Sequence, residues 1–368
     1  MMRSTLAALG IAALALAGSA SFYFAKAQTA PAEPPKQELV AGLLDPALWK
    51  AYQSRFVQPS GRVVDTGNNG VSHSEGQGYG MLLAVAAKDE PGFRRIWDWT
   101  RANLMVRNDH LAAWRWEPDK RPAVADINNA ADADLLMAWA LAEAAELWRN
   151  PSYGLAARAI ALDVGRRLVL QPAAGGPLLL PATAGFGAED RPDGPVVNLS
   201  YWVFPALERL ASVAPEIDWA GLRRAGFALA EKARFGEAGL PPDWIGWRDG
   251  KPQPAQGFPA RFSYDAVRIP LYLAWTGAEP RLLAPYADLP GAREDGPPIL
   301  DLMTGQVSGR MVDKGYRTVI ALAACAAAPA RRGPALPAPD LAELYYPATL
   351  SLLSVVAARA RVPSCVAS

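Results

Sequence analysis

Apolar residues recur with helical spacing through most of the chain, and loops rich in glycine and proline separate these stretches. Strand-like alternation is short and weak, with 176–183 as its best candidate. The pattern predicts helices over 46–57, 74–88, 91–106, 130–149, 152–170, 199–213, 218–235, 263–276, 279–287, 314–328 and 339–359. About eleven or twelve helices without a sheet predict an all-α fold in which helices pack on helices.

The predicted helices differ in how much of their surface is apolar. The stretch from Leu135 to Leu147 is apolar nearly all round, whereas Ala220 to Arg234 carries a polar face. Alternation of buried and half-exposed helices predicts two concentric rings, one inner and one outer. The sequence has no short repeat with a shared signature, so an open helical solenoid is the less favoured arrangement.

The first residues, 1–27, have the pattern of a secretory signal peptide. A short apolar stretch, Leu6 to Ala17, follows a basic residue and precedes small residues suited to cleavage. An uncleaved anchor is the alternative, because Ser21 to Phe24 prolongs the apolar stretch. Residues 28–40 are interpreted as a flexible leader, and 41–368 as a single domain. Both alternatives predict an exported protein, periplasmic or secreted.

Composition narrows the classes of function. The chain has 37 basic and 36 acidic residues and a formal net charge of +1, so we expect no nucleic-acid partner and no basic groove for a polyanion. Two histidines and two cysteines leave little for a transition-metal site, and no metal or cofactor is predicted. Cys325 and Cys365 could pair or remain free thiols, and the sequence leaves both possibilities open.

The segment from Ser72 to Leu83 contains the most unusual helix start of the chain. Ser72 with Glu75, and Ser74 with Gln77, have the spacing of a capping box, and an apolar run follows them. Taken alone, this spacing makes Glu75 a structural helix-capping residue. That interpretation remains the alternative to a catalytic one.

Three glycines at alternate positions, Gly76, Gly78 and Gly80, occupy the first two turns of this helix. Each glycine in a helix interior is less favourable than alanine by about 1 kcal/mol, and packing alone does not explain three of them. Glycine allows close approach to the backbone, and local rules tend to break at functional sites. We therefore expect Glu75 to face a bulky ligand that lies across bare backbone.

A second acidic cluster opens the long apolar helix near residue 130. Asn128 or Asn129 would cap this helix, and Asp132 would lie in its first turn, where the helix dipole favours a carboxylate. That position is also the purely structural interpretation of Asp132. A calcium loop beginning at Asp126 is rejected, because its sixth position is not glycine and its twelfth is not glutamate.

A third acidic position lies at the start of the helix predicted over 263–276. Ser263 can cap that helix, and Asp265 would occupy its first turn. Arg268 follows three residues later, where it can pair with Asp265 and hold it ionised, as a general base requires. A surface pair that merely stabilises the helix is given about equal weight on spacing alone.

If these three helices run the same way in an inner ring, their acids gather at one rim. Glycosidic cleavage needs one carboxyl group that keeps its proton and one that stays charged to activate water. Glu75 would need burial or a neighbouring carboxyl group, such as Asp132, to keep a proton, because a helix start favours the ionised form.

Aromatic residues are concentrated in or beside the loops near these acids. Sugars have flat apolar faces, and aromatic side chains with a polar group suit a half-wet groove. We expect about half of these residues to line a cleft. They are Trp114, Trp116, Tyr201, Trp202, Trp244, Trp247 and Tyr264.

At the three acidic clusters the sequence resembles glycoside hydrolase family 8, and within it the periplasmic endoglucanases that accompany bacterial cellulose synthesis. Ser74–Met81 is similar to the general-acid segment of the family, and Asp132 to Trp148 to its signature helix. Phe262–Pro270 is similar to the segment that bears the general base, and Asn198–Tyr201 to a sugar-contacting stretch. Departures include alanine at position 131, where the signature usually has serine or threonine.

The resemblance implies an (α/α)6 barrel of six inner and six outer helices. It also implies an inverting endo-β-1,4-glucanase, with Glu75 as general acid, Asp265 as general base and Asp132 as a third carboxyl group that binds the distorted sugar. The partner would be a β-1,4-glucan, with a possible functional association with the cellulose synthase machinery, and the chain would be a monomer. The implied substrate-binding residues are Tyr79, Trp114, Trp116, Asn198, Tyr201, Tyr264 and Arg268.

Three alternatives stay open. The substrate could be another β-glycan, such as xylan, mixed-linkage glucan or chitosan. The protein could also be a non-catalytic glycan-binding component of a polymer-export system, although all three acids are present. A polysaccharide lyase is less favoured, because it would need a charge-neutralising cluster and usually a His or Tyr base, and His73 and His110 are the only histidines.

Overall fold

A computed structural model of the protein describes residues 39–171, 175–328 and 335–366. These residues contain eleven α-helices, and none of these helices is long and apolar enough to cross a membrane. The helices are α1 Pro46–Phe56, α2 Ser74–Ala86, α3 Glu90–Asn103, α4 Ala131–Leu147, α5 Pro151–Arg167, α6 Phe204–Val213, α7 Trp219–Lys232, α8 Ile269–Trp275, α9 Pro280–Ala287, α10 Lys314–Ala327 and α11 Tyr345–Arg361.

Six of these helices pack in succession into a closed ring. The order around the ring is α2, α4, α6, α8, α10 and α11, and α11 returns to α2. The remaining helices lie outside: α3 packs on α2, α5 on α4 and α6, α7 on α6, and α9 on α8 and α10. Helix α1 joins α11 through a hydrogen bond between Tyr52 and Thr349. The two-ring prediction and the (α/α)6 fold class are confirmed, with five outer helices in the described part.

The fraction of buried residues distinguishes the inner helices from the outer helices. Nearly every residue of α2, α4 and α11 is buried, whereas α3 and α7 bury only one face. The apolar pattern therefore distinguished the inner helix α4 from the outer helix α7 correctly. Leu39 and Val40, at the end of the predicted leader, already belong to the domain, since Val40 is fully buried and the Leu39 carbonyl accepts a hydrogen bond from Trp275. The predicted signal peptide, 1–27, and the leader up to residue 38 lie outside the described residues.

Three predicted helices start later than the pattern indicated. The stretches 199–213 and 263–276 each begin with a single 3₁₀ turn, Leu199–Tyr201 and Ala266–Arg268, before α6 and α8. The helix predicted over 339–359 begins only at Tyr345. Pro347 lies in its first turn, where its missing N–H and fixed φ are tolerated, so the helix starts just before it.

Short strands form small antiparallel sheets between the helices, and the pattern missed most of them. The strands are β1 Ser72–His73, β2 Arg115–Trp116, β3 Val169–Leu170, β4 Leu178–Leu179, β5 Val196–Val197, β6 Ile245–Arg248, β7 Lys251–Pro254, β8 Arg261–Phe262, β9 Pro298–Asp301 and β10 Val307–Arg310. They pair as β1–β2, β3–β4, β5–β6–β7 and β8–β9–β10. Only β4 falls within the predicted stretch 176–183. Strands of two to four residues are too short to produce a recognisable alternation.

The two cysteines form a disulfide. Cys325, near the end of α10, is bonded to Cys365, which lies just after α11, with 6.1 Å between their Cα atoms. Both residues are buried. The bond ties together the last two helices of the inner ring and resolves the alternative that the sequence left open.

Candidate active site

A single buried guanidinium group joins the three predicted acids. Arg268 is only 1% exposed. Its Nη1 donates hydrogen bonds to Glu75 Oε2 at 2.5 Å and to Asp132 Oδ2 at 2.9 Å. Its Nη2 donates to Asp265 Oδ1 at 3.1 Å and to Ser200 Oγ at 2.9 Å. The i, i+3 pair predicted between Asp265 and Arg268 is therefore present, and the same arginine also contacts the other two acids.

The inner ring explains why these acids meet. Glu75 lies in the first turn of α2, Asp132 in the first turn of α4, and Asp265 directly before the 3₁₀ turn that leads into α8. These helices all begin at the same rim of the barrel, which agrees with the expectation that the three acids gather there.

Two adjoining cavities run over this cluster. The first, of about 250 Å³, is lined by all three acids, Arg268 and further residues at the rim. The second, of about 290 Å³, shares Trp114, Ala130 and Tyr201 with the first, so the two form one continuous groove, which we call the acid cleft. A larger cavity of about 630 Å³ between α9 and the β9–β10 hairpin contains none of the three acids. The chemistry therefore belongs to the acid cleft.

Several predicted sugar-binding aromatics line the acid cleft. Trp114 and Tyr201 lie where the two cavities meet, and Tyr264, which is 46% exposed, lines the first. Trp244 lines the second cavity and stacks on Phe186 with 5.4 Å between ring centroids. These rings give the acid cleft flat apolar walls beside its polar floor.

Other predicted substrate-binding residues do not reach the cleft. Tyr79 is fully buried beneath it, with its hydroxyl 2.8 Å from that of Tyr272. Trp116 packs edge-on against Trp99 and lines neither cavity. Asn198 is fully buried, and its Oδ1 accepts hydrogen bonds from Ser200. The resemblance implied a direct sugar contact for these three residues, and their positions in the described structure provide none. For Tyr79, which lies in a helix, the sequence does not separate a residue that faces the cleft from one directly below it.

The prediction that the glycines of α2 leave bare backbone for a ligand is wrong. A Cβ atom on Gly78 would lie 2.8 Å from Leu136 Cβ of α4, and one on Gly80 would lie 2.9 Å from Val63 Cγ2. Gly76 does line the acid cleft, but a Cβ there would meet the Tyr345 hydroxyl at 2.8 Å. The glycines therefore allow neighbouring protein to pack closely, rather than a ligand to lie on bare backbone.

The capping box predicted at the start of α2 is also absent. The N-cap residue is His73, which makes no side-chain capping bond. Gln77 instead accepts the Val63 N–H at 2.7 Å, and Ser72 Oγ donates to the Val63 carbonyl at 2.6 Å. Both side chains thus fasten the preceding loop to α2. Glu75 is left free to face Arg268.

The helix caps predicted for the other two acids are wrong as well. Ala130, not Asn128 or Asn129, is the N-cap residue of α4, and it makes no side-chain capping bond. Asn129 Nδ2 donates to Asp134 Oδ2 at 2.8 Å instead. Ser263 does not cap its turn either, since its hydroxyl donates to the carboxylate of Asp243.

Burial and neighbouring charges set the protonation of Asp265. Burial raises its pKa to about 6, and the negative charges of Asp243 and Glu75 act in the same direction. Arg268 and the amide of Asn198 oppose this rise. About a third of the side chain still faces the acid cleft, so the carboxyl group remains accessible.

Asp132 lies deeper than Asp265 and is fully buried. Burial raises its pKa well above the usual range, and the charge of Glu75 adds to the rise. Arg268 and the Ala133 N–H, which donates to Asp132 Oδ1 at 2.8 Å, only partly offset it. Three carboxyl groups around one guanidinium cannot all ionise easily, so the cluster tends to retain a proton.

Sequence reasoning missed one wall of the cleft. Tyr345 and Tyr346, at the start of α11, line the first cavity together with Asp65 and His73. His73 stacks on Trp114 with 6.0 Å between ring centroids. The two tyrosines could have been found, because they open an apolar inner helix as the acids do. Asp65 lies in a loop with no comparable signal.

The described residues contain no group of three or more His, Cys, Asp or Glu side chains arranged to hold a metal ion. The acids of the cleft are paired with Arg268 instead. Chemically, the arrangement offers two partly exposed carboxyl groups, Glu75 and Asp265, and a buried third, Asp132, all held by one arginine beside aromatic walls.

Comparison with known proteins agrees with this geometry. Residues 24–359 match the family described as Glycosyl hydrolases family 8. The chain is 39% identical over 323 residues to a "Probable endoglucanase" of Novacetimonas hansenii, covering 84% of this chain and 89% of that protein. It is 41% identical over 239 residues to an "Endoglucanase" of Cellulomonas uda, covering 65% of this chain and 66% of that protein.

A solved structure described as endo-beta-1,4-glucanase CMCax from Acetobacter xylinum superimposes with a TM-score of 0.77 at 36% sequence identity. The match covers 86% of this chain and 98% of that structure. The family match spans most of the chain, and the likeness extends from sequence to fold. The chain therefore belongs to glycosyl hydrolase family 8 and is a glycoside hydrolase.

Proposed function

We propose that this protein is an endo-β-1,4-glucanase that hydrolyses internal bonds of cellulose-type glucan with inversion of configuration. The observation that carries the proposal is the buried Arg268, which contacts Glu75, Asp132 and Asp265 at the floor of one aromatic cleft. The similar proteins of Novacetimonas hansenii and Cellulomonas uda, which are called endoglucanases, support the substrate class.

In this mechanism Glu75 is the general acid. It shares Arg268 Nη1 with the deeply buried Asp132, and the crowding of carboxyl groups there favours retention of a proton in the cluster. Glu75, whose side chain is 23% exposed at the cleft, gives that proton to the leaving glycosidic oxygen. The bond between the anomeric carbon and that oxygen breaks as the proton is transferred.

Asp265 is the general base. It takes a proton from a water molecule, whose oxygen attacks the anomeric carbon from the opposite face of the sugar. Glu75 Oε2 and Asp265 Oδ1 contact the two terminal nitrogens of one guanidinium, so these oxygens lie at most about 8 Å apart. That limit allows the separation of roughly 6.5–9.5 Å used by inverting enzymes, in which a water fits between substrate and base.

Asp132 has no nucleophilic step in an inverting reaction. Its carboxyl group is fully buried, lines the same cavity as the other two acids and shares Arg268 Nη1 with Glu75. We assign it to binding hydroxyl groups of the distorted sugar at the point of cleavage. Arg268 holds all three carboxyl groups in fixed positions, which reduces the reorganisation needed when charge develops.

Glu75→Gln tests the proposed acid. The amide keeps the shape of the side chain but has no acidic proton to give, so we expect release of reducing ends from carboxymethyl-cellulose to fall by at least about 10²-fold. Binding of cello-oligosaccharide, measured by calorimetry, should persist. The matched control is Glu90→Gln, an exposed first-turn glutamate of the outer helix α3, which should leave the rate unchanged. Full activity of Glu75→Gln would refute the assignment.

The glycan itself is tested with a panel of β-glycans. We expect the highest kcat/KM on β-1,4-glucan, because the acid cleft has uncharged aromatic walls suited to unmodified glucose rings. Faster cleavage of xylan, mixed-linkage glucan or chitosan would move the assignment to that polymer. Binding without release of reducing ends from any of them would indicate a non-catalytic glycan-binding protein.

We also propose that the protein is exported to the periplasm or the medium. The signal-like pattern of residues 1–27 supports this, and so does the Cys325–Cys365 disulfide, since such bonds persist mainly in oxidising compartments. Fractionation of cells that express the full chain should recover it outside the cytoplasm. Recovery in the cytoplasm with residues 1–27 still attached would contradict export.

A role beside cellulose synthase is proposed on the resemblance to periplasmic endoglucanases of cellulose-producing bacteria. Deleting the gene in a cellulose-producing host should then change the yield or length of the polymer, and the wild-type gene should restore it. We propose that the protein acts as a monomer, which light scattering after gel filtration would test.

A further inference from the structure

Asp243 is a buried aspartate that lies just before strand β6 and is 5% exposed. Its Oδ1 accepts two backbone hydrogen bonds at 3.0 Å, from the N–H groups of Ser263 and Ala266. Its Oδ2 accepts a third from the Ser263 hydroxyl. Its own N–H donates to the Arg261 carbonyl at 2.8 Å. One side chain therefore binds both ends of the segment 263–266.

These bonds enclose the residue that acts as base. Asp265 lies between the two N–H groups held by Asp243, and its own side chain makes no capping bond to the turn. Asp243 thus provides the cap that the turn needs, and Asp265 is free to face the cleft. The Ser263 carbonyl also accepts the Val267 N–H at 3.0 Å, and the Tyr264 carbonyl accepts the Tyr346 hydroxyl at 2.9 Å. Asp243 therefore fixes the N–H groups of a turn whose carbonyl groups are held by other residues.

The charge of Asp243 has a second consequence. Asp265 lies beside a cation, with Arg268 Nη2 at 3.1 Å, and a cation makes a carboxylate a weaker base. Asp243 lies near it as an anion and opposes that effect. Arg261 Nε lies 3.8 Å from Asp243 Oδ2 and offsets part of its charge, but Arg261 is 47% exposed and solvent weakens the pair.

The other groups that act on Asp265 come from three further parts of the fold. Glu75 of α2 adds negative charge, whereas the Asn198 amide beside the Leu199–Tyr201 turn stabilises the ionised form. The neutral phenols of Tyr201 and of Tyr346 on α11 also lie near enough to interact. Burial and the negative charges of Asp243 and of Glu75, the latter when it has given up its proton, outweigh Arg268 and Asn198 and raise the pKa of Asp265 to about 6.

We propose that Asp243 is a positioning residue for catalysis, which fixes the turn that carries Asp265 and holds a negative charge against that turn. The inference rests on the proposed function, in which Asp265 is the general base. A base close to the working pH transfers protons more efficiently than an ordinary aspartate, so the two roles serve the same step.

The substitution Asp243→Asn removes the charge of Asp243 but keeps the backbone hydrogen bonds that position the turn. The amide oxygen can still accept both backbone N–H groups, but the negative charge is gone. Wild-type kcat/KM on a soluble cello-oligosaccharide should fall below about pH 6, where Asp265 becomes protonated. This fall at low pH is the acidic limb of the pH–rate profile. In the Asp243→Asn variant the acidic limb should move by about one pH unit to lower pH, because the negative charge that favours protonation of Asp265 has been removed. KM should change little.

The substitution Ser263→Ala weakens the attachment of the turn to Asp243 without changing any charge. It removes one of the three hydrogen bonds to Asp243, so we expect kcat to fall several-fold while the acidic limb stays in place. The matched control is Asp193→Asn. Asp193 is a buried aspartate too and accepts a backbone N–H, that of Gln256 at 2.7 Å, but it is not among the groups that shift the pKa of Asp265. This control should not move the limb.

The outcomes distinguish the inference from the proposed function. A wild-type protein that cleaves no glycan refutes the function and the inference together. An active wild type whose acidic limb is unchanged in a folded Asp243→Asn variant overturns the inference alone. If Asp243→Asn does not fold, Ser263→Ala decides: a lowered kcat with unchanged KM supports the positioning role, and an unchanged kcat overturns it.

Discussion

At the scale of single residues, Arg268 determines the site. Its planar guanidinium offers donors in fixed directions, so one buried side chain contacts three carboxyl groups and a serine hydroxyl. Spacing predicted only the local pair with Asp265, because the contacts with Glu75 and Asp132 cross 193 and 136 positions of sequence. Long-range contacts of this kind leave no periodic trace in a single sequence.

Arg268→Lys tests this arrangement. A single ammonium group cannot contact Glu75, Asp132 and Asp265 in the same geometry, so we expect kcat to fall by about 10²-fold or more, with a lower melting temperature. Steady-state kinetics and thermal unfolding measure the two effects. Arg158→Lys is the control, since Arg158 pairs with Glu216 at the surface. Wild-type kinetics in Arg268→Lys would show that the shared guanidinium has no catalytic importance.

The positions of the acids were easier to predict than the positions of the sugar-binding residues. Glu75 and Asp132 each lie in the first turn of an apolar helix, a local pattern that a sequence displays directly. Tyr79 lies one turn further along α2 than Glu75 and is fully buried. Whether such a residue faces a cleft or a neighbouring helix depends on ring closure, which local pattern does not contain.

At the scale of elements, helix α2 depends on close contact with its neighbours. Gly78 faces α4, and a Cβ atom there would lie 2.8 Å from Leu136 Cβ and 3.4 Å from the Ala133 carbonyl oxygen. Glycine lowers the intrinsic stability of the helix, but it allows α2 and α4 to approach closely. That approach brings Glu75 and Asp132 to the same guanidinium.

The pair Gly78→Ala and Gly154→Ala tests this interpretation. A methyl group at Gly78 would overlap Leu136, so we expect a loss of about 1–3 kcal/mol in the free energy of unfolding. At Gly154, in α5, the new Cβ would lie 3.6 Å from Ala145 Cβ, an ordinary contact, and alanine should stabilise by up to about 1 kcal/mol. Denaturant titration measures both. Equal changes in the two variants would contradict close packing at Gly78.

The sequence predicted the presence of each helix well, but it predicted the residue at which each helix begins less well. All eleven predicted stretches contain an α-helix, but the caps assigned to Ser74, Asn129 and Ser263 are absent. Asn129 and Ser263 are buried and bond to distant parts of the chain instead, to the Thr183 N–H and to Asp243. Ser263 shows this clearly, because its hydroxyl bonds to Asp243, twenty residues away in sequence. The buried Ser74 hydroxyl has no hydrogen-bond partner among the described residues.

At the scale of the whole molecule, the closed ring places the start of each catalytic helix at one rim. The apolar pattern predicted two rings, because inner helices are apolar nearly all round. The pattern gave no information about order around the ring or about the irregular stretch between α10 and α11. There the described residues 335–344 contain no helix, and the described part of the outer ring has five helices where six were predicted.

The disulfide should stabilise this last part of the ring. Replacing Cys325 and Cys365 together with alanine releases a link between residues 40 positions apart, and we expect a loss of about 4 kcal/mol in the free energy of unfolding. Thermal unfolding with and without reductant measures it. Reductant should lower the melting temperature of the wild type but leave the variant unchanged. A wild-type protein insensitive to reductant after full reduction would contradict this role.

The stereochemistry of the first product tests the central claim most directly, namely that Glu75 donates a proton while Asp265 activates water across one cleft. Proton NMR during hydrolysis of a soluble cello-oligosaccharide identifies the anomer at the new reducing end before it mutarotates. An inverting reaction on a β-bond produces the α-anomer first. Formation of the β-anomer first would require a covalent glycosyl-enzyme and would contradict the assigned roles of Glu75, Asp265 and Asp132.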